Sequence, residues 1–398
     1  MRNYDLITPE GTKDLLFGEC IVRRNIENTL LNLFRSRGYS EIITPGLEFF
    51  DVFNLNSRYF PQENLYKMTD NKGRLLVMRP DTTMPIARVV ATRLRDAVLP
   101  LKFCYNQTVY RTEQALKGRS DEIVQAGIEI IGSDLKMADL EVISAAVDAM
   151  KAFGMEFSLE IGHIGIFKEL VSRLDASDKE KEKIRKLIEN KNFPALNDML
   201  DSFGKNSVVD ALKKLPALFG RDEVFEKALE IMPDDSIAVL LEQLREIYND
   251  AAELCGDEGN ITVDLGLVNK TDYYTGIIIK GYLQGHGDEV ISGGRYDRLI
   301  SEFGYDVPAV GFAVNVNAVA KVIEKNGVLP AIPRIDAIVY AQEGYEALAL
   351  RKAKELREQG LVVENALFSD IESAREYAKE RKIPKIVVAD ENSQEAGE

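Results

Sequence analysis

The sequence predicts an α+β fold: an antiparallel sheet flanked by helices, carrying a helical insertion and followed by a small α/β domain. Three observations predict it. Residues 261–320 alternate apolar and polar positions in short runs, with glycines at the breaks such as Gly266, Gly276, Gly281, Gly285 and Gly304, the pattern of antiparallel strands joined by tight turns. Residues from about 165 to 255 are charge-rich at helical spacing, as in DKEKEKIRKLIENK from Asp178 to Lys191, which places solvated helix faces between two halves of a sheet. Beyond residue 334 the pattern runs strand, helix, strand, helix, strand, an order that implies a small parallel sheet.

Composition sets the class. With 398 residues, 45% hydrophobic and 29% charged, the chain is long enough for two or three globular domains. It contains no run of eighteen apolar residues and its start is polar and turn-like, so neither a membrane span nor a leader is expected and the cytoplasm is the expected location. The three cysteines, Cys20, Cys104 and Cys255, lack paired spacing, which supports neither a disulfide framework nor a metal site. His163 and His286 have no Ser or Cys motif to serve, and structural or surface roles are expected for both. A formal charge of -15 opposes a polyphosphate partner over the molecule as a whole.

Taken in order, residues 18–37 place Ile21, Ile26, Leu30, Leu31, Leu33 and Phe34 on one side of a helix that stops at Gly38. A strand from Tyr39 should halt at Pro45, and residues 66–79 should form a hairpin about the Asn71-Lys72-Gly73 turn. Asp81 and Thr83 open a helical run, where capping alone would account for them. Residues 103–112 and 122–131 predict a hairpin with a long polar tip containing Gly118 and Arg119. On its second strand Gln125, Gly127 and Glu129 share one face, opposite Val124, Ala126, Ile128 and Ile130. Arg111 and Glu113 add a cation and an anion to the same floor. Carboxylates for an ammonium group, an arginine for a carboxylate and an amide for a polar side chain are what a zwitterionic amino acid requires.

A helix over 139–153 and a strand over 156–161 then lead into the insertion. Further on, the adjacent Tyr273 and Tyr274 should point to opposite faces of a strand, and the Gly293-Gly294 pair before Arg295-Tyr296-Asp297 suits backbone that approaches a ligand closely. Prolines at 330 and 333 mark a linker to the last domain.

Asp272-Tyr273-Tyr274-Thr275-Gly276, Gly293-Gly294-Arg295-Tyr296-Asp297 and Pro308 to Ala313, in that order, resemble the amino-acid-binding half of histidyl-tRNA synthetases. The helix, the Pro45-ending strand and the Asp81 segment resemble the other half. The resemblance implies a class II aminoacyl-tRNA synthetase-like core over residues 1–325, with the insertion inside it. Residues 334–398 look like a shortened anticodon-binding domain. It also implies that free histidine is held by Asp81, Thr83, Arg111, Gln125, Glu129, Tyr273, Tyr274 and Tyr296.

The adenylating residues of that family are missing. Its arginine before the paired tyrosines is Asn269 here, its closing nucleotide arginine is Ala318, and a cation of its hairpin tip is Asp121. Removing one such partner of developing phosphate charge costs about 10²- to 10³-fold in rate, about 3–4 kcal/mol. A synthetase fold with its histidine pocket kept and its ATP site broken resembles the regulatory subunits of hetero-oligomeric ATP phosphoribosyltransferase. In that family a separate short catalytic subunit performs the first step of histidine biosynthesis. It needs the synthetase-like partner for activity and for feedback inhibition by histidine. The resemblance implies no catalytic residues, no cofactor, no metal and no tRNA in this chain, and a homodimer core within a larger hetero-oligomer. The competing expectations are an active histidyl-tRNA synthetase and a synthetase-like histidine sensor with another partner.

Overall fold

The computed structural model describes residues 4–54, 59–112, 120–232, 234–256, 260–268, 273–327 and 334–391. The chain divides into two compact units, residues 1–328 and 329–398.

The larger unit opens with α1 (Gly18–Ser36), whose Val22, Ile26, Leu30 and Phe34 recur every fourth position and are all buried, and a turn through Gly38 at φ 81° ends it. The strand expected to reach Pro45 is only β1 (Ser40–Glu41), paired in parallel with a later strand, and β2 (Leu47–Phe49) joins a different sheet. After α2 (Phe50–Asn54), the predicted hairpin is β3 (Lys67–Thr69) and β4 (Leu75–Met78), which β2 extends to a three-stranded sheet in the order β2, β4, β3. Helix α3 (Thr83–Arg93) follows, then β5 (Leu101–Tyr110), β6 (Glu122–Ile131), α4 (Lys136–Lys151) and β7 (Phe157–His163).

The insertion comprises α5 (Ile164–Ser172), α6 (Asp178–Glu189), α7 (Phe193–Asp201), α8 (Ser207–Lys214), β8 (Phe219–Gly220), α9 (Glu223–Ile231) and α10 (Asp235–Cys255). It is not wholly helical, because β8 pairs with β9 (Ile261–Asp264) and so adds an edge strand to the main sheet. Strands β10 (Ile277–Leu283), β11 (Ile291–Arg295) and β12 (Ala309–Asn315) and helix α11 (Val316–Lys325) complete the unit.

The described strands of the main sheet run in the order β1, β5, β6, β12, β11, β10, β7, β9, β8. It is mixed rather than purely antiparallel, since β1 lies parallel to β5 and β7 parallel to β9. One face carries Val124, Ala126, Ile128, Val310, Phe312 and Val314, all buried beneath α1, α4 and α11; Phe34 meets Phe312 edge to face at 5.9 Å. This apolar layer leaves the other face free for polar groups.

The smaller unit is β13 (Ala337–Ala341), α12 (Glu346–Glu358), β14 (Val363–Asn365), α13 (Ile371–Glu380) and β15 (Lys385–Ala389). Its strands are parallel in the order β14, β13, β15, as the alternating pattern predicts. Two apolar cores, one built on Ala337 and Val339 and one on Ile338 and Ala378, cover both faces of β13.

Candidate ligand site

The polar face of the sheet converges on Glu129. This residue stands in the middle of β6, directly across from Gly311 on β12 and Phe103 on β5. Its side chain is 1% exposed, so it forms a buried floor where a solvated strand face was an open alternative. The Thr83 hydroxyl, at the first position of α3, donates to Glu129 Oε1 at 2.8 Å, and the Tyr296 hydroxyl donates to Oε2 at 2.5 Å. Burial pushes the Glu129 carboxyl up to about 8, opposed by these two hydrogen bonds and helped by the nearby charge of Asp81.

Asp81 is buried beside it. Its Oδ1 accepts from the backbone N–H of Met84 at 2.9 Å, so the predicted capping contact exists together with the site position. Burial raises the Asp81 carboxyl, and Arg111 pulls it back down. Arg111 sits just past the end of β5, its Nε donating to the Pro80 carbonyl at 2.5 Å.

The two tyrosines do not take opposite faces. Tyr273 and Tyr274 precede β10, in the turn that enters it, where strand alternation does not operate; both are 6% exposed, with ring centroids 4.8 Å apart. Tyr273 also packs edge-on against Tyr296 at 5.7 Å and Tyr59 at 5.5 Å. Burial, then the negative charge of Asp81 and Glu129, raises the phenols of Tyr273 and Tyr274, so both stay neutral donors at physiological pH.

Space for these groups comes from glycines on neighbouring strands. A Cβ at Gly311 would fall 1.9 Å from Glu129 Oε2, and one at Gly127 would fall 2.6 Å from the Tyr105 hydroxyl. At Gly294 it would meet the Ile277 carbonyl at 2.3 Å and the Tyr274 ring at 2.9 Å. The close approach at the Gly293-Gly294 pair is therefore made by protein: backbone of the neighbouring strands and the Tyr274 ring fill the space expected for a ligand.

Seven of the eight predicted residues are thus linked by hydrogen bonds, ring contacts or charge. Gln125 is the exception. It shares the face of Glu129 but lies four residues along β6, about 13 Å away at the strand repeat. Tyr59 and Tyr105 were missed from the sequence. The hairpin register sets Tyr105 opposite Gly127, and a large ring across from a strand glycine is the signal that could have found it. Glu113, Arg119 and Asn269 lie outside the described residues.

The remaining altered positions are occupied by protein contacts. Tyr66 donates to Asp121 Oδ2 at 2.5 Å, and the Asp121 N–H donates to the Gly11 carbonyl at 2.8 Å, so the side chain of this residue ties β6 to the segment before β3 while its backbone ties it to the N-terminal segment. Ala318 lies 5% exposed in the first turn of α11, its N–H bonded to the Asn315 side chain. The neighbouring Asn317 accepts from the Val124 N–H at 2.9 Å and donates to the Glu122 carbonyl at 3.2 Å, tying the helix to β6. Among the described residues no group of three His, Cys, Asp or Glu side chains could hold a metal ion, and no helix is long and apolar enough to cross a membrane.

A family model for histidyl-tRNA synthetase matches residues 11–319. The ATP phosphoribosyltransferase regulatory subunit of Clostridium kluyveri is 43% identical over 387 residues, covering 96% of this chain and 99% of that relative. This chain belongs to the ATP phosphoribosyltransferase regulatory subunit family. A second regulatory subunit, from Clostridium acetobutylicum, is 40% identical over 98% of this chain and 97% of its own length. Among solved structures, an ATP phosphoribosyltransferase regulatory subunit/histidyl-tRNA synthetase from Bacillus halodurans superposes with a TM-score of 0.84 at 27% identity, covering 98% of this chain and 99% of that one. A histidyl-tRNA synthetase from Nostoc, at TM-score 0.78 and 21% identity over 98% of this chain and 93% of that one, shares the fold. The α+β, class II synthetase-like core expected from the motifs is therefore the fold of this regulatory subunit family.

Proposed function

We propose that the chain is the non-catalytic, histidine-sensing subunit of ATP phosphoribosyltransferase: it binds free histidine at the Glu129 site and governs a separate short catalytic subunit, which it must join for activity. The observation that carries this is the buried Glu129 carboxyl, held by Thr83 and Tyr296 inside a wall of tyrosines. Such a group offers a hydrogen-bonding partner to an imidazole, while Asp81 supplies charge for an ammonium group and Arg111 for a carboxylate. Gln125 reads the far end of the ligand. A sensor must hold the end product without consuming it. With alanine at 318 and Asp121 committed to Tyr66 and Gly11, two positions that would need cations for adenylation carry none. Feedback then requires only that histidine favour one arrangement of the complex, typically by about 1–3 kcal/mol.

A homodimer core is supported by an apolar row on the small sheet. In-register pairing places Leu47, Phe49 and Met68 on one face, and each of them is exposed. The net charge of -15 supports a role without tRNA, and the biosynthetic setting supports a cytoplasmic location. Residues 1–325 form the sensing core in this reading, and residues 334–398 the shortened anticodon-binding-like domain.

Co-expression with a short phosphoribosyltransferase subunit tests the reading. The expected result is a co-purifying complex with histidine-inhibited activity that neither chain has alone; two separate gel-filtration peaks would remove the partner. In the isolated chain histidine should raise the melting temperature progressively, by the equivalent of about 2.7 kcal/mol at a hundred times its Kd. A melting temperature unchanged up to millimolar histidine would remove the pocket. Pyrophosphate exchange by the isolated chain with histidine and ATP would favour a synthetase instead.

A further inference from the structure

The turn that carries Tyr273 and Tyr274 is held from outside the pocket by the first helix of the insertion. Lys168, on α5, donates from Nζ to the backbone carbonyl of Tyr274 at 2.9 Å. One turn earlier, the N–H of Ile164, the first residue of α5, donates to the Gly276 carbonyl at 3.0 Å. Two carbonyls of a four-residue turn thus end on one helix. On its inner side the same turn packs the Tyr273 ring against Tyr274 and against Tyr296, whose hydroxyl donates to Glu129.

The far end of α5 is fixed just as directly into the insertion. Arg173 follows the helix, reaching back to Glu169 at 2.8 Å and across to Asp234, the residue that caps α10, at 2.7 Å. Ser236 in the first turn of α10 also donates to Glu169 at 3.1 Å. Helix α5 is therefore a short rod with the tyrosine turn at one end and the cap of α10 at the other.

We propose that Lys168 is a positioning residue that fixes the tyrosine turn to α5, and that through it occupancy of the pocket and order of the helical insertion rise and fall together. The ligand half of this statement rests on the histidine-binding reading; the mechanical half does not. A cation on the Tyr274 carbonyl holds the backbone that orients the rings. A ligand that orders the rings makes that carbonyl a better fixed acceptor, so α5 and the cap of α10 tighten in turn.

Hydrogen exchange read by mass spectrometry on the full chain tests both halves, with wild type, Lys168→Met and Lys168→Arg compared. Without ligand, Lys168→Met should speed amide exchange about tenfold in peptides spanning residues 164–172 and 273–277, leave α1 unchanged, and be rescued by Lys168→Arg. Exchange in both segments that matches wild type would overturn the proposal whatever the ligand. With saturating histidine, wild type should gain protection in residues 164–172 and 234–240. Lys168→Met should still bind, with affinity reduced about threefold to tenfold, and lose that gain. Full histidine-dependent protection in Lys168→Met would overturn the coupling. If histidine fails to bind the wild-type chain, the pocket reading falls, and the ligand-free comparison alone decides whether Lys168 positions the turn.

Discussion

Tyr296 and Glu129, 167 residues apart in the sequence, meet through a 2.5 Å hydrogen bond in the buried floor of the sheet. The contact joins the two halves of the core, since Glu129 belongs to the hairpin before the insertion and Tyr296 directly follows β11 after it. Burial of the same carboxyl, which this bond only partly offsets, makes it titrate far from its ordinary range.

The first prediction follows from the raised Glu129 carboxyl. Its ordinary value is 4.5 and its native value about 8, so between them the folded chain keeps a proton that the unfolded chain has released. Stability contributed through this group therefore falls as pH rises from about 4.5 to about 8, and levels off above. Glu129→Gln, which cannot ionise, should gain stability relative to wild type across that window. Urea midpoints at about pH 5 and pH 8.5 measure it, and a difference between the two chains that does not change with pH would show that the native carboxyl is ionised.

His163 gives the opposite sign. It caps α5, with Nδ1 accepting from the Gly165 N–H at 3.2 Å, and burial pushes the imidazole down to about 4 from 6.5. Between these values the unfolded chain binds the extra proton, so this group adds stability as pH rises. His163→Asn preserves a capping acceptor and should flatten the profile between about pH 4 and 6.5. Parallel denaturation curves for the two chains over that range would contradict the burial.

Gly311→Ala should destabilise the chain by about 1–3 kcal/mol, because its methyl group would meet both the Glu129 carboxylate and the Ile128 backbone carbonyl. In the Glu129→Ala background the same substitution should cost measurably less, a coupling that a double-mutant cycle in urea would read. Strict additivity would mean that the Ile128 carbonyl, and not the carboxylate, sets the cost.

On the opposite face of the sheet, Arg295 and Asp139 form an ion pair at 2.7 Å, each side chain 9% exposed, which ties β11 to α4. Arg295→Met leaves a buried carboxylate without its partner and should cost about 3–5 kcal/mol. Adding Asp139→Leu should recover much of the loss, as judged by the urea midpoint; no recovery would mean that Arg295 acts mainly through its bonds to the Ser133 carbonyl and Asp297.

The sequence was most informative where a residue's neighbours in the chain decide its environment. The helix ending at Gly38, the hairpin of β5 and β6, and the parallel order of the smaller unit follow from local periodicity and turn chemistry. Motif order was enough to nominate Asp81, Thr83, Glu129 and Tyr296, which the fold does bring together. What local pattern could not supply was pairing between distant segments. The parallel placement of β1 beside β5, the edge strand contributed by Phe219 and Gly220, and the edge-on packing of Tyr59 against Tyr273 each depend on chain that is remote in sequence. Tyr273 and Tyr274 show a further limit: alternation was applied to residues that lie just before the strand, where backbone direction is set by the turn.

The glycines opposite the recognition groups carry a lesson for protein engineering. Gly311, Gly127 and Gly294 each leave room both for a recognition group and for a backbone carbonyl, with an added Cβ falling 2.3 Å from the Ile128 oxygen, 2.2 Å from that of Phe312 and 2.3 Å from that of Ile277. A library seeking altered metabolite selectivity by enlarging those glycines would force the strands apart at these carbonyls instead of narrowing the site. Shrinking Glu129, Tyr105 or Tyr274 removes only the side-chain half of each clash, so reshaping the site has to begin from those recognition groups with the glycines kept.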